Sequence, residues 1–136
     1  MKVLVTGATG EVGSELVQEL LQRGVGVRAL TRRQRTPDTF PEAVEMAVGD
    51  LSDPVSIGEA IKGVDKLFLL IGAENVPVEL TQALTAYGLA KKAGLKHVTY
   101  ASIYGNARNS VESSGSQVTT TLRRLFPFDN CGIRRS

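Results

Sequence analysis

Residues 2–13 read Lys2-Val3-Leu4-Val5-Thr6-Gly7-Ala8-Thr9-Gly10-Glu11-Val12-Gly13, and the order of residue types in them decides the fold. Lys2–Thr6 is a short β-branched apolar run that Gly7 stops. Glu11–Arg23 then repeats apolar residues at helical spacing, with Val12, Leu16, Val17, Leu20 and Leu21 on one stripe and Gly24 in the C-cap region. Between strand and helix lie three glycines spaced Gly-x-x-Gly-x-x-Gly. Alone, that spacing says little, because glycine-rich turns are common. Between a strand and a helix it predicts a turn that cradles phosphate. Gly7 turns the chain off the strand, Gly10 lets backbone approach the ligand, and Gly13 lets the helix sit close to the strand. Thr9, Glu11 and Val12 occupy the other positions around the helix N-terminus, whose free N–H groups and dipole attract a pyrophosphate. A tight βα turn without ligand is the plainer alternative. The loop lacks the Gly-Lys-Ser/Thr ending of NTPase phosphate loops, which argues against an NTPase.

Outward from this unit, short β-type runs and helical patterns alternate. Val25–Thr31 contains a second strand, and Arg32–Pro41 is a polar loop in which Pro37 and Pro41 oppose regular structure. Val44–Val48 is a third strand. Gly49-Asp50-Leu51-Ser52-Asp53-Pro54 starts a short helix that ends near Gly63, with Asp53 as N-cap and Pro54 at its first position. Asp65–Ile71 is the most hydrophobic stretch and reads as a strand buried on both faces, as in parallel sheets. Val76–Ala93 is a longer helix with Leu80, Leu84, Tyr87 and Ala90 on one side, closed by Gly94; His97–Ser102 is the fifth strand. Five strands separated by helices predict an α/β, doubly wound, Rossmann-type parallel sheet in the order 3-2-1-4-5, binding ligands at the strand carboxyl ends. Residues 1–105 form the expected dinucleotide-binding domain. Residues 106–136, rich in Ser, Thr, Asn and Gly at their start, form an irregular tail, partly disordered or folded into a short helix.

The end of the second strand bears on the cofactor. NAD-preferring sites usually place an acid there for the ribose 2′-hydroxyl. Here the chain reads Thr31-Arg32-Arg33-Gln34-Arg35, with no acid before Asp38. A guanidinium pairs with a 2′-phosphate in a fork that a carboxylate would repel. NADP(H) is therefore expected over NAD(H), with Arg32 the first contact and Arg33 the second; a solvated arginine cluster is the alternative. Asp50 and Leu51 after strand three border the expected adenine, and Ile71 and Gly72 end strand four beside the loop. Each could equally be only a strand terminus.

Composition narrows the class. Of 136 residues, 42% are hydrophobic and 22% charged, as in soluble globular domains. No stretch approaches the length of a membrane span, and the apolar start is too short for a secretory signal, so no membrane partner is expected. The single cysteine, Cys131, leaves no intramolecular disulfide and points to a reducing, cytoplasmic compartment. Residues 1–102 carry 11 Lys/Arg against 12 Asp/Glu, whereas residues 103–136 carry 5 Arg against 2 acids. Five dispersed arginines are a weak nucleic-acid signal, and a solvated tail is the preferred reading. Lone His97 has no companion ligands in sequence, so no metal is expected.

The stretches Val5-Thr6-Gly7-Ala8-Thr9-Gly10-x-x-Gly13, Ala29-Leu30-Thr31-Arg32, Gly49-Asp50-Leu51-Ser52-Asp53-Pro54 and His97-Val98-Thr99-Tyr100-Ala101-Ser102 together resemble the NmrA-like branch of the atypical short-chain dehydrogenase/reductase superfamily. The resemblance covers about residues 1–105. It implies a Rossmann-type fold, NADP(H) binding and roles as quinone or azo reductases, isoflavone-type reductases or cofactor-sensing regulators. Members of that family run about twice this length, and nothing in Ser110–Ser136 matches their continuation, as a truncated or frame-altered product would show. Many members of the wider superfamily use a Tyr-x-x-x-Lys pair on the helix after strand five, the lysine lowering the tyrosine pKa. Tyr87-Gly88-Leu89-Ala90-Lys91 has that spacing but lies before strand five, on the buried stripe. No lysine follows Lys96, and Tyr104-x-x-x-Arg108 is the nearest substitute. Ser102 matches the strand-five serine that holds substrate in those relatives. Ser102 and Tyr104 are thus the weak catalytic candidates. Two functions follow: an NADP(H)-dependent oxidoreductase passing hydride to a small quinone- or azo-type acceptor, or a non-catalytic NADP(H)-binding module, either a redox-sensing regulator or an incomplete enzyme. Strand five has a free edge, which predicts pairing with the tail or with another chain, as in a homodimer.

Overall fold

The computed structural model describes residues 1–33, 39–72 and 75–102. The expected tail at 106–136, the loop at 34–38 and Tyr104 lie outside the described residues. The elements run β1 (Lys2–Val5), α1 (Glu11–Gln22), β2 (Gly26–Thr31), β3 (Val44–Val48), α2 (Pro54–Ile61), β4 (Lys66–Ile71), α3 (Val76–Lys92) and β5 (His97–Ser102). All strand pairs are parallel, and the sheet order is β3-β2-β1-β4-β5, as the alternation of strand and helix signals predicts.

Each inner strand is apolar on both faces because each face carries its own helix layer. On β1, Val3 and Val5 join Val27 and Ala29 of β2 and Val17 of α1 in one core. Leu4 points the other way, into a larger core with Leu67, Leu69 and Ile71 of β4, Ile57 and Ile61 of α2, and Ala83, Ala86 and Ala90 of α3. Thus α1 covers one face and α2 with α3 the other, and the change of side falls between β1 and β4. The crevice of a doubly wound sheet opens at that point.

The helix ends follow from local chemistry. Asp53 caps α2 by accepting from the Val55 amide at 3.1 Å, and Asn75 caps α3 by accepting from Val78 at 3.1 Å. α3 closes in a Schellman motif: Gly94 takes a φ of 78°, its amide bonds the Lys91 carbonyl, and Leu95 bonds Ala90. α1 closes in the same way through Gly24 and Val25. Toward the amino ends of the strands, Arg28 of β2 reaches Glu45 of β3 at 2.7 Å and donates to the Ala60 and Lys62 carbonyls at the end of α2. A guanidinium there satisfies helix carbonyls and complements the dipole. No described helix is long and apolar enough to cross a membrane.

Two amphipathic stripes differ from the expected ones. Val12 is 57% exposed at the start of α1, although the helical spacing puts it in line with buried Val17. It sits in the first turn of α1. On α3 the buried set is Glu79, Ala83, Ala86, Tyr87 and Ala90, with Leu80 and Leu84 only partly covered. Small alanines let α3 lie close to the sheet, which displaces the leucines to the flanks. Buried Glu79 accepts a short hydrogen bond from the Tyr100 hydroxyl of β5, so the acid enters the core with a partner.

Candidate functional site

The glycine turn is a backbone construction. Gly7 has a φ of 63°, a left-handed conformation that strains any residue bearing a Cβ. Its carbonyl accepts from the Gly10 amide at 3.0 Å, folding the loop back on itself. Gly13 is where the helix comes closest: a Cβ there would stand 2.0 Å from the Gly7 oxygen and 2.9 Å from the Ala8 Cα. At Gly10 a Cβ would lie 3.3 Å from the same oxygen. Gly10 is the N-cap of α1 and contributes no side-chain cap. The first-turn amides of Glu11, Val12 and Gly13 therefore face the loop with the positive end of the dipole behind them. What Glu11 and Val12 bring to this turn is their backbone, since both side chains are exposed and neither lines the cleft described next.

The turn opens into a cleft of about 580 Å³ at the carboxyl ends of the strands. Gly7, Thr9, Gly10, Arg32, Arg33, Asp50, Leu51 and Gly72, all expected from sequence, line it together. Ile71 does not. Strand alternation sends its side chain into the core, fully buried, and gives the wall to Leu70 and Gly72 instead. Ser102 ends β5 opposite Ile71 in the ladder. Tyr87 is buried in α3, as expected of a core tyrosine.

Three further features shape the cleft and were not singled out in the sequence. Thr6, 1% exposed, ties β1 to β4 where the ladder ends: its hydroxyl donates to the Leu70 carbonyl and accepts from the Leu70 amide, both at 2.8 Å. Thr31, buried at the end of β2, donates its hydroxyl to the Arg33 carbonyl at 2.9 Å and so turns both arginines onto the rim. Gln82 of α3 reaches across to donate to the Ser52 hydroxyl at 2.9 Å and lines the far wall. A threonine at a strand end signals nothing by itself, and Gln82 is 30 residues from its partner. Neither could be found without the topology.

The loop after β3 is held tightly. The Ser56 hydroxyl accepts from the Asp50 amide at 3.0 Å and lies 3.0 Å from the Asp53 carbonyl, while one Asp50 carboxylate oxygen accepts from the Ser52 amide at 2.7 Å. A Cβ at Gly49 would meet Ser56 and Leu30 at 3.0–3.1 Å, so the chain passes close under the β2 end. Arg32 and Arg33 are exposed on the rim and carry the cleft's positive charge. The arrangement is a turn of backbone able to take a phosphate, two guanidiniums beside it and a slot of mixed lining beyond, with Leu30, Leu51 and Leu70 as its apolar part. An extended dinucleotide has the same sequence of parts. Among the described residues, no three of His, Cys, Asp or Glu come together as a metal site.

Comparison with known proteins gives the same direction. The NmrA-like family matches residues 1–118. Sterol demethylase protein B of Methylococcus capsulatus is 37% identical over 115 residues, covering 77% of this chain and 35% of that protein. NAD(P)H azoreductase of Xenophilus azovorans is 34% identical over 109 residues, covering 79% of this chain and 37% of its own length. Among solved structures, the triphenylmethane reductase of Citrobacter sp. complexed with NADP(H) superposes with a TM-score of 0.74 at 25% identity, over 91% of this chain and 46% of that one. The chain spans little more than a third of the length of these two curated relatives.

Proposed function

Because the chain belongs to the NmrA-like family, we propose that its cleft binds NADP(H) in preference to NAD(H) and that it passes hydride to a small quinone- or azo-type acceptor. The observation that carries the proposal is that one cleft is lined by both the glycine loop and the Arg32–Arg33 pair. The cradle fits a pyrophosphate: Gly13 leaves no room for a Cβ, and Gly10 offers an uncapped helix start. The cofactor preference rests on charge. Two exposed arginines stand on the rim where NAD-preferring sites carry an acid, and a guanidinium suits the 2′-phosphate.

In this reading the amides of the loop and of the first turn of α1 hold the pyrophosphate, Arg32 and then Arg33 hold the 2′-phosphate, and Asp50 and Leu51 flank the base. Thr6 keeps β1 and β4 together beneath the loop, so the cradle does not spread on binding. Bound nicotinamide supplies the hydride, and direct transfer to a quinone or azo acceptor needs no tyrosine–lysine pair. The reductase assignment is supported by relatives named as an azoreductase and a triphenylmethane reductase. The working compartment we propose is the cytoplasm, on the reading of Cys131, and the partner we propose at the outer edge of β5 is a second copy of the chain.

Titration with NADPH and NADH, followed by turnover with a quinone and an azo dye, tests both levels. Tighter binding of NADPH, lost in Arg32→Ala, is expected. Equal affinities would refute the cofactor assignment. Binding without turnover would make the chain a dinucleotide-binding module and refute the reductase activity.

A further inference from the structure

We infer that Thr31 is a positioning residue for the choice between NADP(H) and NAD(H), acting through the path it imposes on Arg32; the inference rests on the cofactor reading above. Neither guanidinium on the rim has a hydrogen-bond or ion-pair partner among the described residues. What aims them is therefore the main chain that carries them. Thr31 fixes that chain twice. Its carbonyl accepts from the Gly49 amide at 2.9 Å, at the last rung of the ladder between β2 and β3. Its hydroxyl donates to the Arg33 carbonyl, also at 2.9 Å, and so draws the chain back two residues later. A carbonyl has no proton to give, so the direction of this bond has no alternative.

Arg32 is thus the middle residue between two anchored ones, and all three line the cleft. Thr31 is only 4% exposed, so water competes poorly for its hydroxyl. An arginine on a fixed turn meets a 2′-phosphate without first giving up the freedom of its backbone. NADH carries a hydroxyl at that position and offers the guanidinium no phosphate to hold. The contribution of Thr31 to binding therefore falls on NADP(H). Valine would keep the shape and burial of the side chain but could not donate, and would set a methyl against the Arg33 carbonyl.

The test is equilibrium titration of the full chain with NADPH and with NADH. Thr31→Val should weaken NADPH by about three- to tenfold, the scale of one hydrogen bond, and leave NADH within about twofold of wild type. Thr31→Ser keeps the donor and should keep the wild-type ratio of affinities. In an Arg32→Ala background, Thr31→Val should change NADPH affinity no further, because the residue it acts through is gone. Should thermal melts show that Thr31→Val does not fold, Thr31→Ala removes the donor with no methyl against the carbonyl and carries the same expectation. Equal weakening of NADPH and NADH would make Thr31 a residue of the fold alone and overturn the inference, and so would an unchanged ratio. In both cases a wild-type preference for NADPH leaves the cofactor reading standing. A wild-type chain with equal affinities for the two would overturn the cofactor reading and the inference with it.

Discussion

Replacing glycine by alanine inside a helix normally stabilises it by about 0.8–1 kcal/mol. In this chain the same change should have opposite signs at two helical glycines, and the structure says why. At Gly88 of α3 an added Cβ meets nothing within 4 Å. Gly88→Ala should gain about 0.5–1 kcal/mol. At Gly13 of α1 the Cβ would stand 2.0 Å from the Gly7 oxygen and 2.7 Å from the Gly7 carbon. Both atoms are backbone, so no side chain can swing aside. The helix start would have to recede by roughly 1.5 Å to restore ordinary contact. Overpacking of that kind costs about 1–3 kcal/mol, which outweighs the propensity gain. The two variants should thus differ by about 2 kcal/mol, or about 8 °C in melting temperature for a chain of this size. Thermal melts followed by circular dichroism read this directly. NADPH titration adds a second readout, since a displaced first turn carries with it the amides proposed to hold the pyrophosphate. Gly13→Ala should weaken binding at least tenfold (about 1.4 kcal/mol), while Gly88→Ala leaves it unchanged. A Gly13→Ala chain as stable as Gly88→Ala, with affinity intact, would refute the close approach of α1 to the loop.

Other outcomes follow from individual contacts. Thr6→Val keeps the shape but strands a buried carbonyl and amide of Leu70, and should cost about 2–3 kcal/mol in urea unfolding; a loss below half a kcal/mol would show that the clamp is dispensable. Arg32→Ala should reduce NADPH affinity about ten- to a hundredfold and leave NADH nearly unchanged, as loss of one charge-assisted fork implies. Hydrogen bonds from Lys2, then Arg28, hold the Glu45 carboxyl below its ordinary value. A depressed carboxylate pKa contributes stability that is complete above its unfolded value of about 4.3 and is lost as pH falls through the lower folded value. Glu45→Gln should therefore flatten the acid limb of the stability profile without changing its shape near neutrality, the effect shrinking in salt because Glu45 is exposed. Sedimentation over a range of concentrations should show association through β5, and a lysine at Thr99 should weaken it; concentration-independent monomer would count against the β5 edge as an interface.

Much of the fold lies in local sequence. Val3-Leu4-Val5 before Gly7, the Asp53-Pro54 start of α2 and the Gly94 stop of α3 each act within a few residues, so their chemistry can be read without a partner. The glycine turn is legible for the same reason. What resisted was whatever depends on two distant elements meeting. Thr6 looks like a strand terminator until β4 is placed beside β1 and Leu70 comes to 2.8 Å. Ile71 looks like a rim residue until the register shows that its neighbour Leu70 takes that side. Glu79 looks solvent-facing on a helix whose leucines suggest another stripe, yet close packing of Ala83 and Ala86 turns it inward toward Tyr100.

The parts of the cleft also differ in how they could be lost. The glycine turn proposed to hold phosphate is made of main chain from one contiguous segment, Gly7 to Gly13, so only a change in backbone path removes it. The side chains around it come from two turns and a helix: Arg32 after β2, Asp50 after β3 and Gln82 on α3. A sheet in the order β3-β2-β1-β4-β5 brings those residues to one end, beside the strand that leads into the glycine turn. Every described lining residue falls between Thr6 and Gln82, well inside the region shared with the longer relatives. The described lining is consequently a property of this segment. Turnover needs an acceptor held against the nicotinamide, and no residue of the described lining is committed to that task. Binding and turnover are for that reason separate measurements on this chain, and a variant that loses turnover while keeping NADPH binding is the expected result of dissecting it.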